Sequence, residues 1–380
     1  MPALVAGIHV FLRQFTKEDA DGRDKPGHDA ETKTGELMKR TIVALLCALA
    51  APSVAAADPV ADFYRGRTIS LLIASGAAGG YDTYARVFAR HLTSHMPGEP
   101  AIVPKNIPAA GGLTAANTLY SVSARDGLTI GALTNGVAMD PLFGNGAARF
   151  DAQKFNWLGS MGKLQNVCAT WIDSPIKNIA AAKTREVVVA AAGATSNTSV
   201  VPRVLNALIG TRFKVIAGYD PGAGLNLALE GREVEGICGL SWSTLKASRP
   251  DWIRDRKLNV ILQMALEPLP ELGPVPSALD LVSDPTSRQV LELILIRQEM
   301  GRPLVAPPGV PAERVAALRA AFAATMTDRD FLAEAARFQM EIDPLSGEAV
   351  AALLAKAYAA PRDIVERAAV LVEPVTAHPP

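Results

Sequence analysis

The stretch Ile69-Ser-Leu-Leu-Ile-Ala-Ser-Gly-Ala-Ala-Gly-Gly-Tyr-Asp-Thr-Tyr-Ala-Arg86 joins an apolar strand to an amphipathic helix through a loop of small residues. The backbone can approach a ligand closely at Gly76, Gly79 and Gly80, which carry no Cβ. The unpaired N–H groups and the dipole of the following helix favour negative charge at its first turn. The spacing G-x-x-G-G is neither the dinucleotide pattern G-x-G-x-x-G nor a P-loop. The stretch therefore predicts an anion-binding loop.

The helix after this loop has one apolar face. At 83–96 the helical period places Tyr84, Phe88 and Leu92 on one stripe. Because this stripe must pack against a sheet, the helix N-terminus points to the carboxyl edge of strand 69–74, where open α/β sheets bind ligands.

Four titratable residues on this helix have structural explanations. Asp82 is a candidate ligand contact, but a carboxylate at an anion site repels the ligand, whereas at a helix start it caps N–H groups. Arg86 is placed to pair with it, four residues on. His91 and His95 have the i, i+4 spacing of a metal pair, but no Glu stands at position 92 and no third ligand is evident. A half-buried structural role is predicted for both histidines.

Three later strand ends repeat the pattern of strand, small-residue turn and helix start. The first ends in Gly111-Gly112, the second in Thr195-Ser196-Asn197, and the third carries Tyr219. Ser196 is no nucleophile candidate, since no G-x-S-x-G elbow surrounds it and no histidine is available as its partner. No catalytic residue, metal ligand or cofactor is predicted. The predicted ligand-binding residues are Ala78, Gly79, Gly80, Tyr81, Asp82, Gly111, Gly112, Thr195, Ser196, Asn197 and Tyr219.

Alternating strand and helix patterns indicate an α/β architecture with mainly parallel sheets. Strands are predicted at 69–74, 101–107, 128–134, 187–192, 213–217, 235–240 and 258–264. Helices are predicted at 83–96, 112–123, 198–209, 222–230 and 286–297, and a helix-rich tail runs from 311 to about 371.

The N-terminal region carries a targeting pattern. A basic start at Met38-Lys39-Arg40, an apolar core and the small residues before Asp58 read as a secretory signal over 38–57, cleaved after Ala57. Translation from Met38 is the expectation, because residues 1–37 would otherwise bury the signal inside the chain. A real disordered extension is the alternative.

Charge and cysteine content further limit the class of protein. Lys and Arg together number 38, as do Asp and Glu, so no basic field suits nucleic acid or an anionic membrane surface. Beyond the predicted signal, Cys168 and Cys238 remain, both in apolar strand-like runs. An oxidising compartment permits a disulfide, but buried free thiols are equally compatible with the sequence.

Several segments together resemble the periplasmic solute-binding receptors of tripartite tricarboxylate transporters, also called Bug-type receptors. The resemblance covers residues 63 to about 358 and is carried by five segments in order. They are Asp82-Thr-Tyr-Ala-Arg86, Asn106-Ile-Pro-Ala-Ala-Gly111-Gly112, Arg125-Asp126-Gly127-Leu-Thr, Leu227-Ala-Leu-Glu-Gly231-Arg-Glu-Val-Glu-Gly236 and Ala306-Pro-Pro-Gly-Val-Pro311-Ala-Glu-Arg-Val. Such receptors commonly have Pro-Gly-Gly in the first loop, where this chain has Ala77-Ala78-Gly79-Gly80.

The resemblance implies a two-lobed, type II-like periplasmic-binding-protein fold with two crossover strands and a ligand cleft. Lobe 1 is predicted at 58–160 plus 270–380, and lobe 2 at 161–269. The implied function is that of a monomeric, non-enzymatic periplasmic receptor that captures a small organic carboxylate for the large and small subunits of a membrane permease. A ligand-sensing domain for a signalling system is one alternative, and a secreted α/β hydrolase is the other. The sequence does not identify the carboxylate.

Overall fold

The structure is a computed structural model of the 380-residue chain, in which residues 58–193, 196–220 and 223–373 are described. The predicted extension 1–37, the predicted signal 38–57 and the candidate Thr195 lie outside the described residues.

Helices and strands alternate along most of the described chain. The elements up to the first crossing between sheets are α1 (Pro59–Tyr64), β1 (Thr68–Ile73), α2 (Gly80–His95), β2 (Ala101–Asn106), α3 (Leu113–Ser121), β3 (Thr129–Ala132) and β4 (Asn156–Ser160). The strands of the second sheet and the helices that lie between them in the chain are β5 (Asn166–Trp171), α4 (Ile179–Thr184), β6 (Val187–Ala191), α5 (Asn197–Ile209), β7 (Phe213–Ala217), α6 (Ala223–Glu230), β8 (Gly236–Ser241), α7 (Trp242–Ser248), α8 (Pro250–Arg254) and β9 (Leu258–Met264). The chain then continues as α9 (Pro285–Glu299), β10 (Pro303–Ala306), α10 (Ala312–Thr327), α11 (Arg329–Arg337), β11 (Leu345–Ser346), α12 (Gly347–Tyr358) and α13 (Arg362–Val372).

The described strands form two sheets. Their orders are β11-β4-β10-β3-β1-β2 and β7-β6-β8-β5-β9. The chain therefore passes between the sheets twice, from β4 to β5 and from β9 through α9 to β10. We call each sheet, with the helices packed on it, a lobe. The two-lobed α/β fold predicted from the sequence is confirmed, whereas the boundaries at 160, 161, 269 and 270 stay a prediction.

The expectation of mainly parallel sheets is wrong. Parallel pairs join β1 to β2 and β3, and β6 to β7 and β8. All pairs made by β4, β5, β9, β10 and β11 are antiparallel. The crossings explain this result, because a strand that enters a sheet from the other lobe need not follow a right-handed helical crossover.

The apolar pattern of each segment decides which core it joins. On β1, Ile69, Leu71 and Ile73 face one buried cluster, while Leu72 faces another, as the two-residue period of a strand requires. The predicted stripe of α2 is buried, and the ring of Phe88 lies 5.8 Å from that of Phe322 on α10. Every predicted strand and every helix predicted before the tail is found within three residues of its predicted ends.

One hydrophobic cluster extends through both lobes. It includes Leu72 of the first sheet, Val189 of the second sheet, and the buried face of α9 from Val290 to Ile296. Within residues 58–193, 196–220 and 223–373, no helix combines the length and apolar character that crossing a membrane requires.

Cys168 and Cys238 are joined in a disulfide. They lie directly opposite each other on the antiparallel strands β5 and β8, and both are buried. The sequence left a disulfide and free thiols as alternatives, and the structure has the disulfide. Its position ties the first strand of the second sheet to a strand 70 residues later.

Removing this bridge should lower the free energy of unfolding by about 4 kcal/mol, because the bond closes a long loop in the unfolded chain. Chemical denaturation of the Cys168→Ala/Cys238→Ala protein measures the loss, and wild type in a thiol reductant serves as the matched control. Labelling of both cysteines by an alkylating reagent in the unreduced, denatured wild type would contradict the pairing.

Candidate ligand-binding cleft

The first predicted loop forms a tight turn into α2. Ala78 takes a left-handed backbone conformation, with φ of 62°, which normally favours glycine. Gly79 is the N-cap of α2 and offers no side-chain hydrogen bond. The amides of Gly80 and Tyr81 lie in the first turn and have no acceptor within the helix. The helix dipole and these donors favour an anion at this point.

Asp82 holds this turn in place. Its Oδ2 accepts the Ala78 amide at 2.9 Å, and its Oδ1 accepts Arg86 Nε at 2.8 Å and Asn106 Nδ2 at 2.8 Å. Arg86 also donates to Asn106 Oδ1 at 2.7 Å. The predicted pairing of Asp82 with Arg86 is confirmed. With both carboxylate oxygens bound to protein donors, Asp82 shapes the loop, and the Ala78 amide is taken up by that same bond.

Burial and hydrogen bonding shift the pKa of Asp82 in opposite directions. Burial alone would raise the pKa, but the hydrogen bonds from Asn106, the Ala78 amide and Arg86 outweigh it, so the pKa is lowered. The ionised form is therefore favoured in the folded protein.

The second predicted loop lies beside the first. Ala110, Gly111 and Gly112 have φ values of 52°, 66° and 101°. A Cβ on Gly112 would lie 3.0 Å from both the Cβ and the carbonyl oxygen of Ala74, so only glycine fits here. Thr134 Oγ1 donates to the Gly111 carbonyl at 3.3 Å. This bond connects the loop to the turn that follows β3.

The candidate ligand-binding residues of the second lobe form their hydrogen bonds within that lobe. Ser196 Oγ donates to the Gly193 carbonyl at 2.7 Å and lies 2.9 Å from Thr198 Oγ1. Asn197 begins α5, and its carbonyl closely approaches Gly239 of β8. Tyr219 donates to Glu233 Oε1 at 2.7 Å. These contacts place Ser196 and Asn197 at the start of α5 over β8, and none of them joins Tyr219 to the loops of the first lobe.

The lobes meet across the start of α2 and α7. A Cβ on Gly80 would lie 3.1 Å from Thr244 Oγ1. Arg302, which precedes β10, donates to Ser243 Oγ at 3.3 Å, and its Cζ lies 3.6 Å from the centre of the Tyr84 ring. Lys246 of α7 pairs with Glu341 of the first lobe. The anion-favouring start of α2 therefore faces a polar segment of the second lobe.

A group of polar residues lies next to these loops, and of its members only the half-buried Tyr81 was predicted from the sequence, while the other four are buried. We call it the cleft cluster, and it consists of Tyr81, Asn135, Asn166, Arg297 and Gln298. The Tyr81 hydroxyl accepts the Asn135 amide at 3.1 Å. Gln298 Oε1 accepts the Asn166 amide at 3.2 Å. Burial raises the pKa of Tyr81, although the Asn135 amide and the charges of Arg302 and Arg297 act in the opposite direction.

Several atoms of the cleft cluster are buried without a hydrogen-bond partner among the described residues. They are Asn135 Nδ2, Asn166 Nδ2 and Oδ1, and Arg297 Nε. Each buried polar atom without a partner costs about 1–3 kcal/mol, so four on neighbouring residues mark a place built to meet polar groups. The signal in the sequence was the apolar run before Arg297, which predicts a helix buried on all sides and hence a buried arginine.

The hydrolase alternative finds no support at the residues that it would need. His91 Nε2 lies 2.6 Å from Glu334 Oε2, and His95 Nε2 lies 3.1 Å from Asp328 Oδ2, both toward the C-terminal end of α2. Ser196 bonds to Gly193 and Thr198 instead of a histidine. Within the described part of the chain, no three His, Cys, Asp or Glu residues are grouped as metal ligands.

Many solved structures have a similar fold, although no family model and no curated protein sequence matches the chain. A ligand-free TctC solute-binding protein from Polaromonas has a TM-score of 0.60 and 22% identity, covering 81% of this chain and 99% of its own. The chain has the fold of a TctC-type solute-binding protein. The resemblance noted in the sequence is thus confirmed at the level of the fold.

Two further structures with the TctC-type fold hold dicarboxylates. An R. palustris protein solved with adipate has a TM-score of 0.62 and 16% identity, covering 80% of this chain and 98% of its own. MatC from Rhodopseudomonas palustris, with bound malate, has a TM-score of 0.57 and 20% identity, covering 81% and 99%.

Proposed function

We propose that this chain is a periplasmic solute-binding receptor that captures a small organic carboxylate between its lobes and delivers it to a tripartite tricarboxylate-type permease. The observation that supports the proposal most is the start of α2, where the first-turn amides of Gly80 and Tyr81 have no acceptor within the helix and Gly80 lies against Thr244 of the other lobe. The TctC-type fold supports the same conclusion, because related structures hold adipate and malate.

The ligand carboxylate accepts hydrogen bonds from the backbone amides of Gly79, Gly80 and Tyr81 and from the Gly111-Gly112 turn. Each helix N-terminus contributes about 0.3–1 kcal/mol at an exposed site and up to ~2 kcal/mol when partly buried. Thr195, Ser196, Asn197 and Tyr219 are the proposed contacts from the second lobe. Closure of the lobes adds these contacts, so the ligand stabilises the closed form by its differential affinity.

The receptor acts as a monomer and catalyses no reaction in this proposal. Export by the predicted signal at 38–57 brings it to the periplasm, where the disulfide between Cys168 and Cys238 is stable. Its partners are the large and small membrane subunits of the permease.

A thermal-unfolding screen of the exported, purified protein tests the binding step. Carboxylates at about 100 times their dissociation constant should stabilise the protein by about 2.7 kcal/mol. Neutral alcohols of the same carbon skeleton provide the matched controls. Stabilisation by alcohols or amines in the absence of any effect of carboxylates would overturn the proposal.

Uptake of the radiolabelled carboxylate by cells separates transport from sensing. Deleting the gene should abolish uptake of the bound compound. Normal uptake, together with a lost transcriptional response to that compound, would identify a sensing domain instead.

A further inference from the structure

Arg297 is the one cleft-cluster residue with a permanent charge, and the described structure gives it no hydrogen bond or ion pair. It lies near the end of α9 and is only 6% exposed. Its Nε is buried without a partner. An arginine keeps its charge in proteins, and a buried charge needs a partner to offset its desolvation.

The guanidinium lies against the turn after β3, which is bonded to the second loop of the proposed carboxylate site. Its Nη1 lies 3.6 Å from the position of a Cβ on Gly136, in the turn that begins with Thr134. Thr134 holds the carbonyl of Gly111. The charge of Arg297 also acts on Tyr81, whose backbone belongs to the first turn of α2 and whose hydroxyl accepts the Asn135 amide. The path from the α2 N-terminus to Arg297 therefore runs through the Tyr81 side chain and the Asn135-Gly136 turn.

Both lobes contribute polar groups near the C-terminal end of α9, which carries Arg297. Asn135 follows β3 of the first lobe, and its side-chain Nδ2 has no acceptor among the described residues. Asn166 begins β5 of the second lobe, and both polar atoms of its side-chain amide have no partner there. Gln298, the next residue on α9, is bonded to the backbone of Asn166. Asp140 is the carboxyl whose charge acts on Arg297, but its described hydrogen bond is with Asn145 at 3.2 Å, and no ion pair joins it to the arginine.

We propose that Arg297, flanked by Asn135 and Asn166, binds a second anionic group of the ligand, so that the protein selects dicarboxylates over monocarboxylates. The inference rests on the proposed function, which places the first carboxylate at the α2 N-terminus. A guanidinium presents donors in a planar fork that matches a carboxylate. Two amide side chains beside it donate further hydrogen bonds to the same oxygens.

Calorimetry with ligands of matched chain length tests this selectivity. The dicarboxylates succinate, glutarate and adipate are each compared with the monocarboxylate of equal carbon number, namely butyrate, pentanoate and hexanoate. The wild type should bind at least one dicarboxylate about 10- to 100-fold more tightly than its partner, the range expected for charged hydrogen bonds in a buried site. In the Arg297→Met protein this ratio should fall to near one.

Thermal unfolding of the ligand-free variants separates this role from a purely structural one. Arg297→Met should unfold at the same temperature as the wild type or higher, because an unpartnered buried charge is removed. Arg319→Met is the matched control: Arg319 donates to the Trp157 carbonyl at 2.9 Å and to Glu348 at 2.7 Å. That control should lower the unfolding temperature and keep the dicarboxylate preference.

Each result decides between the two proposals. Equal binding of matched acids by the wild type, or a preference that survives in Arg297→Met, would overturn the role of Arg297 and leave the carboxylate receptor standing. A clear loss of ligand-free stability in Arg297→Met would assign the arginine to the fold. Binding of neither acid class would overturn the proposed function and this inference together.

Discussion

The Gly80→Val protein should fold normally and lose at least about 100-fold in carboxylate affinity, or ~2.7 kcal/mol. Gly80 has little room for a side chain when the lobes are together, since a Cβ would already lie 3.1 Å from Thr244 Oγ1. The valine methyl groups extend further and separate α2 from α7. They also cover the amides of the first helical turn, which the ligand is proposed to use. Calorimetry with a carboxylate found in the thermal screen measures the loss.

Gly76→Val is the matched control, because a Cβ at Gly76 meets no atom within 4 Å and its φ is not left-handed. It lies in the same loop and should bind the carboxylate with little change. Thermal unfolding of both variants should resemble that of the wild type. Undiminished affinity in Gly80→Val would show that the ligand binds in a different cleft.

The Asp82→Ala protein should lose about 2–3 kcal/mol of unfolding free energy and most of its ligand affinity. The substitution removes the acceptor of the Ala78 amide and one of the two acceptors of Asn106 Nδ2, which keeps the Ser75 carbonyl at 2.9 Å. Each lost acceptor costs about 1–3 kcal/mol. Loss of the ion pair with Arg86 contributes little to this free energy, because the Arg86 side chain is 40% exposed and solvent screens its charge. Ala78 then has less to hold it in its left-handed conformation, so the loop loses its binding shape. Urea unfolding and calorimetry measure the two effects.

The stability difference between wild type and Asp82→Ala should depend on pH in one direction. Because the folded pKa of Asp82 is lowered, its contribution is fully present above the unfolded pKa of about 3.9 and is lost as the pH falls through the folded value. The difference should therefore be constant near neutral pH and shrink below about pH 4.

Asp62→Ala is the matched surface control for this prediction. Asp62 pairs with Arg65 three residues away, and both side chains are at least half exposed, so the change should cost less than about 1 kcal/mol. An Asp82→Ala protein as stable as this control would show that the carboxylate does not hold the loop.

Local patterns in the sequence were sufficient for the elements that build the first loop. The period of Tyr84, Phe88 and Leu92 identifies α2, and the glycines at its start predict the turn. The antiparallel strands β4, β10 and β11 were not predicted, because their pairing depends on residues far away in the chain. The strand direction in each sheet is likewise a consequence of the crossings and has no local signature.

The cleft cluster shows a second limit of sequence reasoning. Arg297 and Asn166 are 131 positions apart, and neither belongs to a motif. Sequence reasoning assigned the positive potential to backbone amides, because the predicted loops contain no arginine. The buried guanidinium reaches the same region from α9, whose position depends on the packing of both lobes.

The hydrophobic cluster that runs from Leu72 through α9 to Val189 has an energetic consequence. Neither lobe can unfold alone without exposing apolar surface on the other, so the free energies of the lobes are not independent. Such coupling makes the whole described chain one cooperative unit, in contrast to domains joined by a flexible linker, which melt separately. We therefore expect motion between the lobes to proceed by sliding of packed side chains along α9 rather than by a hinge in a flexible linker.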